Sequence, residues 1–396
     1  MLRISHATQA YAWGSPTAIH ELLGVHDPGV VAEAWLGAHS SAPSLTLEGG
    51  VALHDLIAAD SVDSLGEDVV ARFGASLPYL LKVIAAERPL SLQVHPHIAR
   101  AGEGFDAEEA AGVPIEAPHR NYRDRNHKPE LVFALTSFEA LCGFRAPRRA
   151  AELLATLDAP LAKELHGILT ARPTSAGIRE AFTQLLEPAT RPSPDEVHEI
   201  AAACRSRLET GSPSPRADRT VVTLDEAYPG DPGVVTSLLL NPVSLQPGEA
   251  LFVPAGGVHA YLQGVGIEVM ASSDNVLRAG LTPKHVDVPE LLRNVDYVAA
   301  PPIRIAPETF HGATRVFYAP VDDFELSVTD IDDDAVHLLP GRGPRVLLCL
   351  EGRMTLSASS TDDVLTLDRG EAAFVPARDG GLAVRGAGRL VQADVP

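Results

Sequence analysis

Residues 88–97 read RPLSLQVHPH, and the alternation within this stretch decides the fold. Ser91, Gln93 and His95 share one parity, whereas two leucines and Val94 take the other. Because successive side chains of a β-strand point to opposite faces, the stretch predicts a strand with one polar and one apolar face. A carboxamide and an imidazole on the same face indicate either a strand that is wet on one side or a strand that supplies ligands to a site.

The composition excludes several classes of protein. The chain has 396 residues, 45% of them hydrophobic, which suggests a globular protein with two or three domains. A net charge of −20 argues against nucleic acid and anionic membrane surfaces as partners, since both require clustered basic residues. A small anionic substrate remains compatible with this charge only if its pocket is locally basic.

The expected location is the cytoplasm, and the expected state is a monomer. No apolar run approaches the roughly 20 residues of a membrane-spanning helix, and the N-terminal sequence lacks the apolar core of a signal peptide. The three cysteines, an odd number at wide spacing, argue against a disulfide framework and a cysteine-based zinc site. We expect them to be buried as small apolar side chains.

A second polar stretch, NHKPE at residues 126–130, follows a long polar segment. We expect that segment, residues 98–125, to be a functional or lid-like loop, because long connections in compact domains usually have such roles. In the following strand Lys128 and Glu130 share a parity, and Pro129 fits the beginning of a strand better than its middle.

The rest of the chain divides into β-rich and helical regions. Residues 78–97 predict two strands joined as a hairpin, and residues 53–73 predict helix. From residue 146 to about 210 the sequence is rich in alanine and leucine, with a capping box at Ser193, which predicts a helical insertion. We interpret residues 211–218, GSPSPRAD, as the linker back to β structure.

A third stretch has glycines and a histidine at a defined spacing. Gly248, Pro254, Gly256 and His259 fit the pattern G-x5-P-x-G-x2-H, which resembles the second signature of cupin jelly rolls. Residues 367–380 repeat the beginning of this motif but have no histidine at the equivalent place. The repeat predicts a second barrel, which we expect to be metal-free.

The three stretches together predict one metal site. Each histidine alone is more often an ordinary core or surface residue, but the joint set offers two imidazoles, a carboxylate and a carboxamide oxygen. Such ligands suit zinc with a position left open for water or substrate. The predicted ligands are Gln93, His95, Glu130 and His259.

Several long strings of the sequence resemble type I mannose-6-phosphate isomerases, which are zinc-dependent cupins with a helical insertion. They are YAWGS, AEAWLGAHSSAPS, QVHP, NHKPELVFAL, EALCGFR, GEALFVPAGGVHAYL and IEVMASSDNVLRAGLTPKH. The resemblance implies a mainly β fold with an α insertion, made of two cupin-type jelly-roll barrels and a helical domain. The implied division is a catalytic cupin at 1–145 and 216–300, a helical insertion at 146–215 and a C-terminal jelly roll at 301–396.

The same resemblance implies roles for individual residues, and one zinc ion per chain bound by the four ligands above. Arg278 matches the arginine beside the reacting carbons. Other matched pocket positions are Lys128, Tyr261, Glu268 and Asp274, and the positions matched to phosphate contacts are Ser91 and Lys82. The sequence departs from the family at His97, where an acidic or amide residue is usual; we expect a solvent-exposed histidine there rather than a fifth ligand.

The predicted activity is the interconversion of mannose 6-phosphate and fructose 6-phosphate by proton transfer through an enediol. We favour Glu268 as the base, with Lys128 or a zinc-bound water as rivals. Two alternatives stay open. One is an iron-dependent cupin oxygenase, since imidazole and carboxylate ligands also suit Fe(II) and His95 and His97 have the spacing of an HxH motif. The other is a non-catalytic sugar-binding cupin, although binding alone would not require the full ligand set with Arg278.

Overall fold

The computed structural model describes residues 1–24, 29–333 and 335–396. It confirms the prediction of a mainly β fold with a helical insertion. The strands are β1 (Leu2–Ile4), β2 (Ala7–Gln9), β3 (Glu33–Leu36), β4 (Tyr79–Ala86), β5 (Leu92–Val94), β6 (Glu130–Ala134), β7 (Phe138–Phe144), β8 (Leu240–Leu245), β9 (Ala250–Val253), β10 (His259–Ala271), β11 (Leu277–Gly280), β12 (Ile303–Ile305), β13 (Glu308–Phe310), β14 (Thr314–Phe317), β15 (Glu325–Ile331), β16 (His337–Leu338), β17 (Arg345–Ala358), β18 (Val364–Asp368), β19 (Ala372–Val375) and β20 (Leu382–Asp394).

The helices connect the strands of the first half of the chain and form the insertion. They are α1 (Ala18–Leu23), α2 (Leu53–Ala59), α3 (Ser61–Leu65), α4 (Glu67–Phe73), α5 (Ile98–Ala110), α6 (Pro147–Ala155), α7 (Pro160–Ala171), α8 (Ser175–Leu186), α9 (Pro194–Thr210), α10 (Pro215–Ala227), α11 (Gly233–Thr236) and α12 (Val288–Asn294). None of the helices in the part of the chain that the structure describes is long and apolar enough to cross a membrane.

Two sheets correspond to the two predicted barrels. The first contains β2 to β12, and the second contains β1 together with β13 to β20. One hydrophobic cluster includes residues of both sheets, and within it the rings of Phe133 and Phe317 lie 5.3 Å apart. Strand β1 pairs with β19 in the second sheet, although residues 1–145 were predicted to form the first part of the catalytic cupin. The division into domains stays a prediction.

The long strand β10 brings the three polar stretches together. It pairs antiparallel with β4, β5, β6 and β7. Its register places His259 opposite Gln93, Glu268 opposite Lys82 and Met270 opposite Glu130. Residues more than a hundred positions apart in the chain thus become neighbours across adjacent strands.

The expected hairpin between β4 and β5 is wrong. Both strands pair with β10 instead of with each other. The connecting residues give their backbone N–H groups to other partners: Glu87 and Arg88 donate to the carbonyl of Trp13, and Leu90 donates to the carbonyl of Tyr261. These long-range bonds replace the ladder that a hairpin would have formed.

The expectation of a loop over residues 98–125 is wrong for its first half, which is helix α5. Two glycines lower the helix propensity of this segment. One of them, Gly104, is required by packing, since a Cβ there would lie 2.2 Å from the ring of Tyr122. The remaining loop is fastened to α5, because Glu108 accepts hydrogen bonds from the backbone N–H groups of Asn121 and Tyr122.

The helical insertion is longer than the sequence analysis expected. The capping box of Ser193 and Glu196 is confirmed at the beginning of α9. The linker expected at residues 211–218 is wrong, because Pro215 begins helix α10. Proline is favoured at the first helical position, where the missing N–H has no intrahelical partner to lose.

The internal repeat is confirmed as a repeat of local structure. Gly248 (φ 93°) and Gly370 (φ 85°) each form a left-handed turn that precedes a four-residue strand, β9 and β19 respectively. Only glycine adopts these angles at little cost. In the second copy, the backbone after the strand forms a short 3-10 helix that begins at Ala377.

Candidate metal centre and substrate pocket

Three of the four predicted ligands meet in the interior of the first sheet. The Nε2 atom of His95 lies 3.2 Å from one carboxylate oxygen of Glu130, and the Nε2 atom of His259 lies 3.4 Å from the other. Their ligand atoms all lie within 4.8 Å of one another, and all three residues are buried. Two imidazoles and one carboxylate form a donor set that suits zinc.

Each imidazole is oriented by a backbone carbonyl. The Nδ1 atom of His95 donates to the carbonyl of Asn275 over 2.8 Å, and that of His259 donates to the carbonyl of Gly257 over 3.0 Å. Such bonds fix the tautomer and leave Nε2 as the electron-pair donor. The Nε2 atom of His95 is buried and has no hydrogen-bond partner among the described residues.

The protonation states also suit metal binding. Burial lowers the pKa of His95 to about 4, so its imidazole is neutral at neutral pH. Burial alone would raise the pKa of Glu130, but the neighbouring His95 and Lys128 lower it well below its usual value. Lys128 lies 3.4 Å from the Glu130 carboxylate. His95 therefore presents a neutral nitrogen donor and Glu130 an ionised oxygen donor, as a cation requires.

The fourth predicted ligand, Gln93, lies on β5 directly opposite His259. Its side-chain amide nitrogen donates to the hydroxyl of Ser91 over 3.2 Å. This bond fixes the rotation of the carboxamide and leaves its carbonyl oxygen as the atom available to a metal. The structure thus brings all four predicted ligands to one place.

A second buried cluster surrounds Lys82. Its Nζ atom lies 3.2 Å from Glu268 and 4.0 Å from Glu33, and it sits over the ring of Trp35 at 5.1 Å. Burial alone would lower the pKa of Lys82, but the two carboxylates outweigh it and raise the pKa. Burial raises the pKa of Glu268 despite the lysine.

A cavity of about 570 Å³ adjoins both clusters, and Lys82, Gln93 and Lys128 line it. Its charged lining is mostly cationic, although the whole chain has a net charge of −20. The cationic residues are Lys82, Arg88, Arg120, Arg123, Lys128, Arg278 and Lys284, and the acidic ones are Glu33 and Asp274. A basic pocket in an acidic protein favours a small anionic ligand.

Three of these cations lie close together without an acidic partner. Arg123, Arg278 and Lys284 form no salt bridge within residues 1–24, 29–333 and 335–396. Burial lowers the pKa of Arg278, and the charge of Arg123 lowers it further. The pKa of Lys284 is lowered by burial and then by both arginines. Clustered, unpaired positive charges of this kind are typical of a phosphate site.

The comparisons with known proteins place this geometry in a family. A model of the phosphomannose isomerase type I catalytic domain matches residues 1–147. The mannose-6-phosphate isomerase of Escherichia coli (strain K12) is 41% identical over 99% of both chains. The chain belongs to the type I phosphomannose isomerase family.

Similar proteins include a human enzyme, and structures of similar bacterial enzymes have been solved. The human mannose-6-phosphate isomerase is 30% identical, over 95% of this chain and 93% of its own. A Salmonella typhimurium mannose 6-phosphate isomerase, solved with its substrate and zinc bound, has a TM-score of 0.89 and 39% identity, covering 100% of this chain and 99% of that one. A further isomerase structure, with zinc and yttrium bound, gives the same TM-score of 0.89.

Some of the other residues that match the phosphomannose isomerase family line the pocket, and some are buried without lining it. Ser91, Asp274 and Arg278 line it, whereas Glu268 and Tyr261 are buried behind its wall. The hydroxyl of Tyr261 donates to Glu130 over 3.4 Å, and burial raises the pKa of this tyrosine well above its usual value. Tyr261 therefore supports Glu130, a predicted metal ligand, and does not line the cavity.

His97, the residue that departs from the phosphomannose isomerase pattern, lies outside the metal centre. It is exposed, and it precedes the first turn of α5. Its Nε2 atom faces Gly256, where an added Cβ would lie 2.7 Å away. His97 is not part of the cluster of His95, Glu130 and His259, so the spacing of His95 and His97 gives the iron oxygenase alternative no support.

Several residues that shape the site were not predicted from the sequence. Arg123 and Lys284 belong to the cationic cluster, Glu33 and Trp35 enclose Lys82, and Asn275 orients His95. Four of these five residues lie within strings that resemble the family. Glu33 and Trp35 belong to AEAWLGAHSSAPS, and Asn275 and Lys284 belong to IEVMASSDNVLRAGLTPKH. Comparing those strings with the family position by position would have suggested them. Arg123 lies in a loop without a motif, and only the fold brings it to the pocket.

Proposed function

We propose that this chain is a zinc-dependent isomerase that interconverts mannose 6-phosphate and fructose 6-phosphate. The observation that supports it most is the placement of the buried centre of His95, Glu130 and His259 beside a cationic pocket that contains Arg278. A metal centre alone would fit many cupins, and a basic pocket alone would fit many phosphate-binding proteins. The combination fits an enzyme that acts on a sugar phosphate at a metal.

Zinc fits the residues that are present. The donor set is two imidazoles, one carboxylate and the carboxamide of Gln93, and the buried Nε2 atom of His95 has no hydrogen-bond partner among the described residues. When bound, zinc supplies Lewis-acid polarisation of a substrate oxygen. Calcium and magnesium prefer sites made of oxygen ligands, so the two imidazoles argue against them.

The phosphate group of the substrate needs a positive site at a distance from the metal. We propose that Arg123 and Lys284 of this cluster attract this group, because their charges are unpaired within the described residues. Ser91 lines the same pocket and offers a hydroxyl, as the sequence predicted. Lys82 also lines it, but it is already held by the carboxylates of Glu268 and Glu33, which favours a structural or relay role over a phosphate contact.

The isomerisation moves one proton from C2 of the open-chain aldose to C1 and a second proton from O2 to O1, and the negative charge that develops is shared by these two oxygens. We propose that the guanidinium of Arg278 stabilises this enediolate through its fork of N–H donors. Loss of one such donor usually costs about 3–4 kcal/mol of transition-state stabilisation. The remaining requirement is a group that takes up and returns the proton.

Glu268 remains our first candidate for that group. Burial raises the pKa of its carboxyl, which suits a base that must bind and release a proton. It reaches the pocket only through Lys82, whose Nζ atom lies 3.2 Å away and lines the wall. Lys128 lines the pocket directly and is therefore a strong rival. A zinc-bound water is the third candidate.

The proposed activity is tested by incubating the purified chain with mannose 6-phosphate and measuring fructose 6-phosphate. The expected result is conversion that requires the phosphate group, so that free mannose reacts far more slowly. An iron-dependent oxygenase would instead consume oxygen without forming the ketose phosphate. A sugar-binding protein would bind the ligand and leave it unchanged. The monomeric state and the cytoplasmic location stay predictions, and light scattering tests the first of them.

A further inference from the structure

We infer that Asp231, in the helical insertion, positions the loop that carries Lys284 into the substrate pocket. We call residues 281–284 the wall loop; all four of them line the cavity. The inference rests on the proposed function, because it assigns the insertion a part in binding the phosphate of the substrate. Asp231 does not line the pocket itself, so its role is that of a positioning residue.

The carboxylate of Asp231 joins two segments that are distant in the sequence. One oxygen accepts a hydrogen bond from the backbone N–H of Gly233, at the start of α11, over 2.7 Å. The other accepts from the backbone N–H of Thr282 in the wall loop over 3.3 Å. Thr282 in turn accepts, through its hydroxyl, a bond from the backbone N–H of Lys284 over 3.1 Å. A chain of contacts therefore runs from the insertion to the lysine.

The backbone of the wall loop is held in an unusual conformation. Leu281 has a φ of 54°, and among the described residues only His311 is another non-glycine with positive φ. An L-residue rarely adopts this region, and such strain persists only where surrounding contacts impose it. The bond from Thr282 to Asp231, directly after Leu281, is one such contact.

The two segments also approach each other closely. A Cβ added to Gly280 (φ 128°) would lie 2.9 Å from the Asp231 carboxylate, and one added to Gly233 would lie 2.9 Å from the backbone nitrogen of Leu281. Both glycines are therefore required for this junction. The insertion reaches the opposite side of the cavity too, because Tyr228 lines it and donates to the carbonyl of Pro89 over 2.7 Å.

The chemistry of the junction explains why an aspartate is needed. Both partners are backbone N–H donors, and a carboxylate offers one acceptor oxygen to each. An asparagine would keep one acceptor and turn its NH₂ group toward the other donor. Both Asp231→Asn and Asp231→Ala should therefore release the wall loop and let Leu281 relax toward negative φ. Lys284 would then be held less firmly beside Arg278.

The test compares the two Asp231 variants with the zinc-loaded parent chain. The expected result is a KM for mannose 6-phosphate that rises roughly tenfold, with kcat changed by less than about threefold and bound zinc unchanged. Calorimetric titration with inorganic phosphate should show a weakening of binding by a similar factor. General loss of structure would instead lower kcat and metal content together.

A matched control separates an effect on substrate binding from a general loss of stability in the insertion. Glu196→Ala removes the capping box of α9 in the same insertion and should lower the melting temperature while leaving KM and phosphate affinity unchanged. If the Asp231 variants do not fold, Gly280→Ala strains the same junction from the wall-loop side and should raise KM in the same direction. Parental KM and parental phosphate affinity in folded Asp231 variants would overturn the inference. Absence of isomerisation by the parent chain would overturn the proposed function instead, and the phosphate titration would still report on Asp231.

Discussion

The Nδ1 atom of His95 lies 2.8 Å from the backbone carbonyl oxygen of Asn275, and the side chain of the same asparagine fastens the loop that leads to the pocket. Its side-chain oxygen accepts from the backbone N–H of Arg123 over 2.7 Å, and its NH₂ group donates to the carbonyls of Asp124 and Asn126 over 2.9 Å each. One buried residue thus orients a proposed metal ligand and a pocket cation together.

Substitution of this asparagine should weaken metal binding. In Asn275→Ala the side-chain bonds to the loop are lost, and the carbonyl that orients His95 is less firmly placed. We expect zinc affinity to fall about 10- to 100-fold, as is usual when the partner of a ligand is disturbed. Competition with a chromophoric chelator measures this. Gln392→Ala is the control, since that residue is also a buried amide and donates to a backbone carbonyl, that of Pro340, but lies in the second sheet; equal zinc affinity in both variants would contradict the role of Asn275.

The role proposed for Arg278 predicts a loss of turnover without a loss of metal. Arg278→Ala should lower kcat by at least about 100-fold, because a donor to the developing charge is removed. Bound zinc should stay near that of the parent chain, since the metal cluster identified in the structure does not include Arg278. Arg304→Ala, which removes an exposed ion pair with Glu249, is the control. A variant that lost its zinc would show that Arg278 supports the site instead of the reaction.

Glu268 and Lys128 are the two side chains that could carry the proton. Their substitutions should affect exchange of the C2 proton differently. If Glu268 carries the proton, Glu268→Gln should abolish exchange of the C2 proton with solvent, whereas Lys128→Met should slow it less. NMR in deuterated solvent measures this exchange without requiring net conversion. Exchange at the parental rate in Glu268→Gln would exclude Glu268 as the base, and loss of exchange in Lys128→Met alone would assign the step to Lys128.

A buried acid pair in the second sheet predicts a pH dependence of stability. Asp394 lies directly opposite Glu325 on neighbouring strands, and the buried Arg345 interacts with it. Burial, and then the charge of Glu325, raise the pKa of Asp394 well above its usual value. The folded state therefore holds a proton that the unfolded chain would release.

The sign of the effect follows from this raised pKa. The stabilisation is fully present below the pKa that Asp394 has in the unfolded chain and is lost as the pH rises through the folded value. Asp394→Asn keeps an acceptor for Gln392 and removes the ionisation, so its unfolding free energy should fall less than that of the parent as the pH rises. Denaturant unfolding over a pH series measures this, with the exposed Asp368→Asn as control. An identical pH dependence in parent and Asp394→Asn would contradict the assignment.

The local patterns of the sequence singled out four candidate metal ligands that the structure brings close together. The parity of Gln93 and His95, the early proline of the Glu130 strand and the glycine spacing before His259 are all short-range features. Each reflects the geometry of one strand or turn, and for that reason it could be recognised without the fold. The resemblance to a family then added Arg278, which no pattern of this kind would have identified.

The long-range features could not be predicted in the same way. The pairing of both β4 and β5 with β10 depends on partners more than 160 residues downstream, so a sequence of two nearby strands suggested a hairpin. Helix α5 was missed because two glycines lower its helix propensity, and one of them, Gly104, is explained only by the ring of Tyr122. Asn275 and Asp231 act through hydrogen bonds to backbone groups, and such contacts leave no pattern in the residue types.

The most direct test of the central claim is mannose 6-phosphate isomerase activity measured before chelation, after removal of the metal and after addition of zinc. We expect about one zinc per chain, activity that disappears with the metal and returns with zinc, and neither bound zinc nor activity in His259→Ala. Full activity in the metal-free chain, or a His259→Ala variant that keeps its zinc, would contradict it.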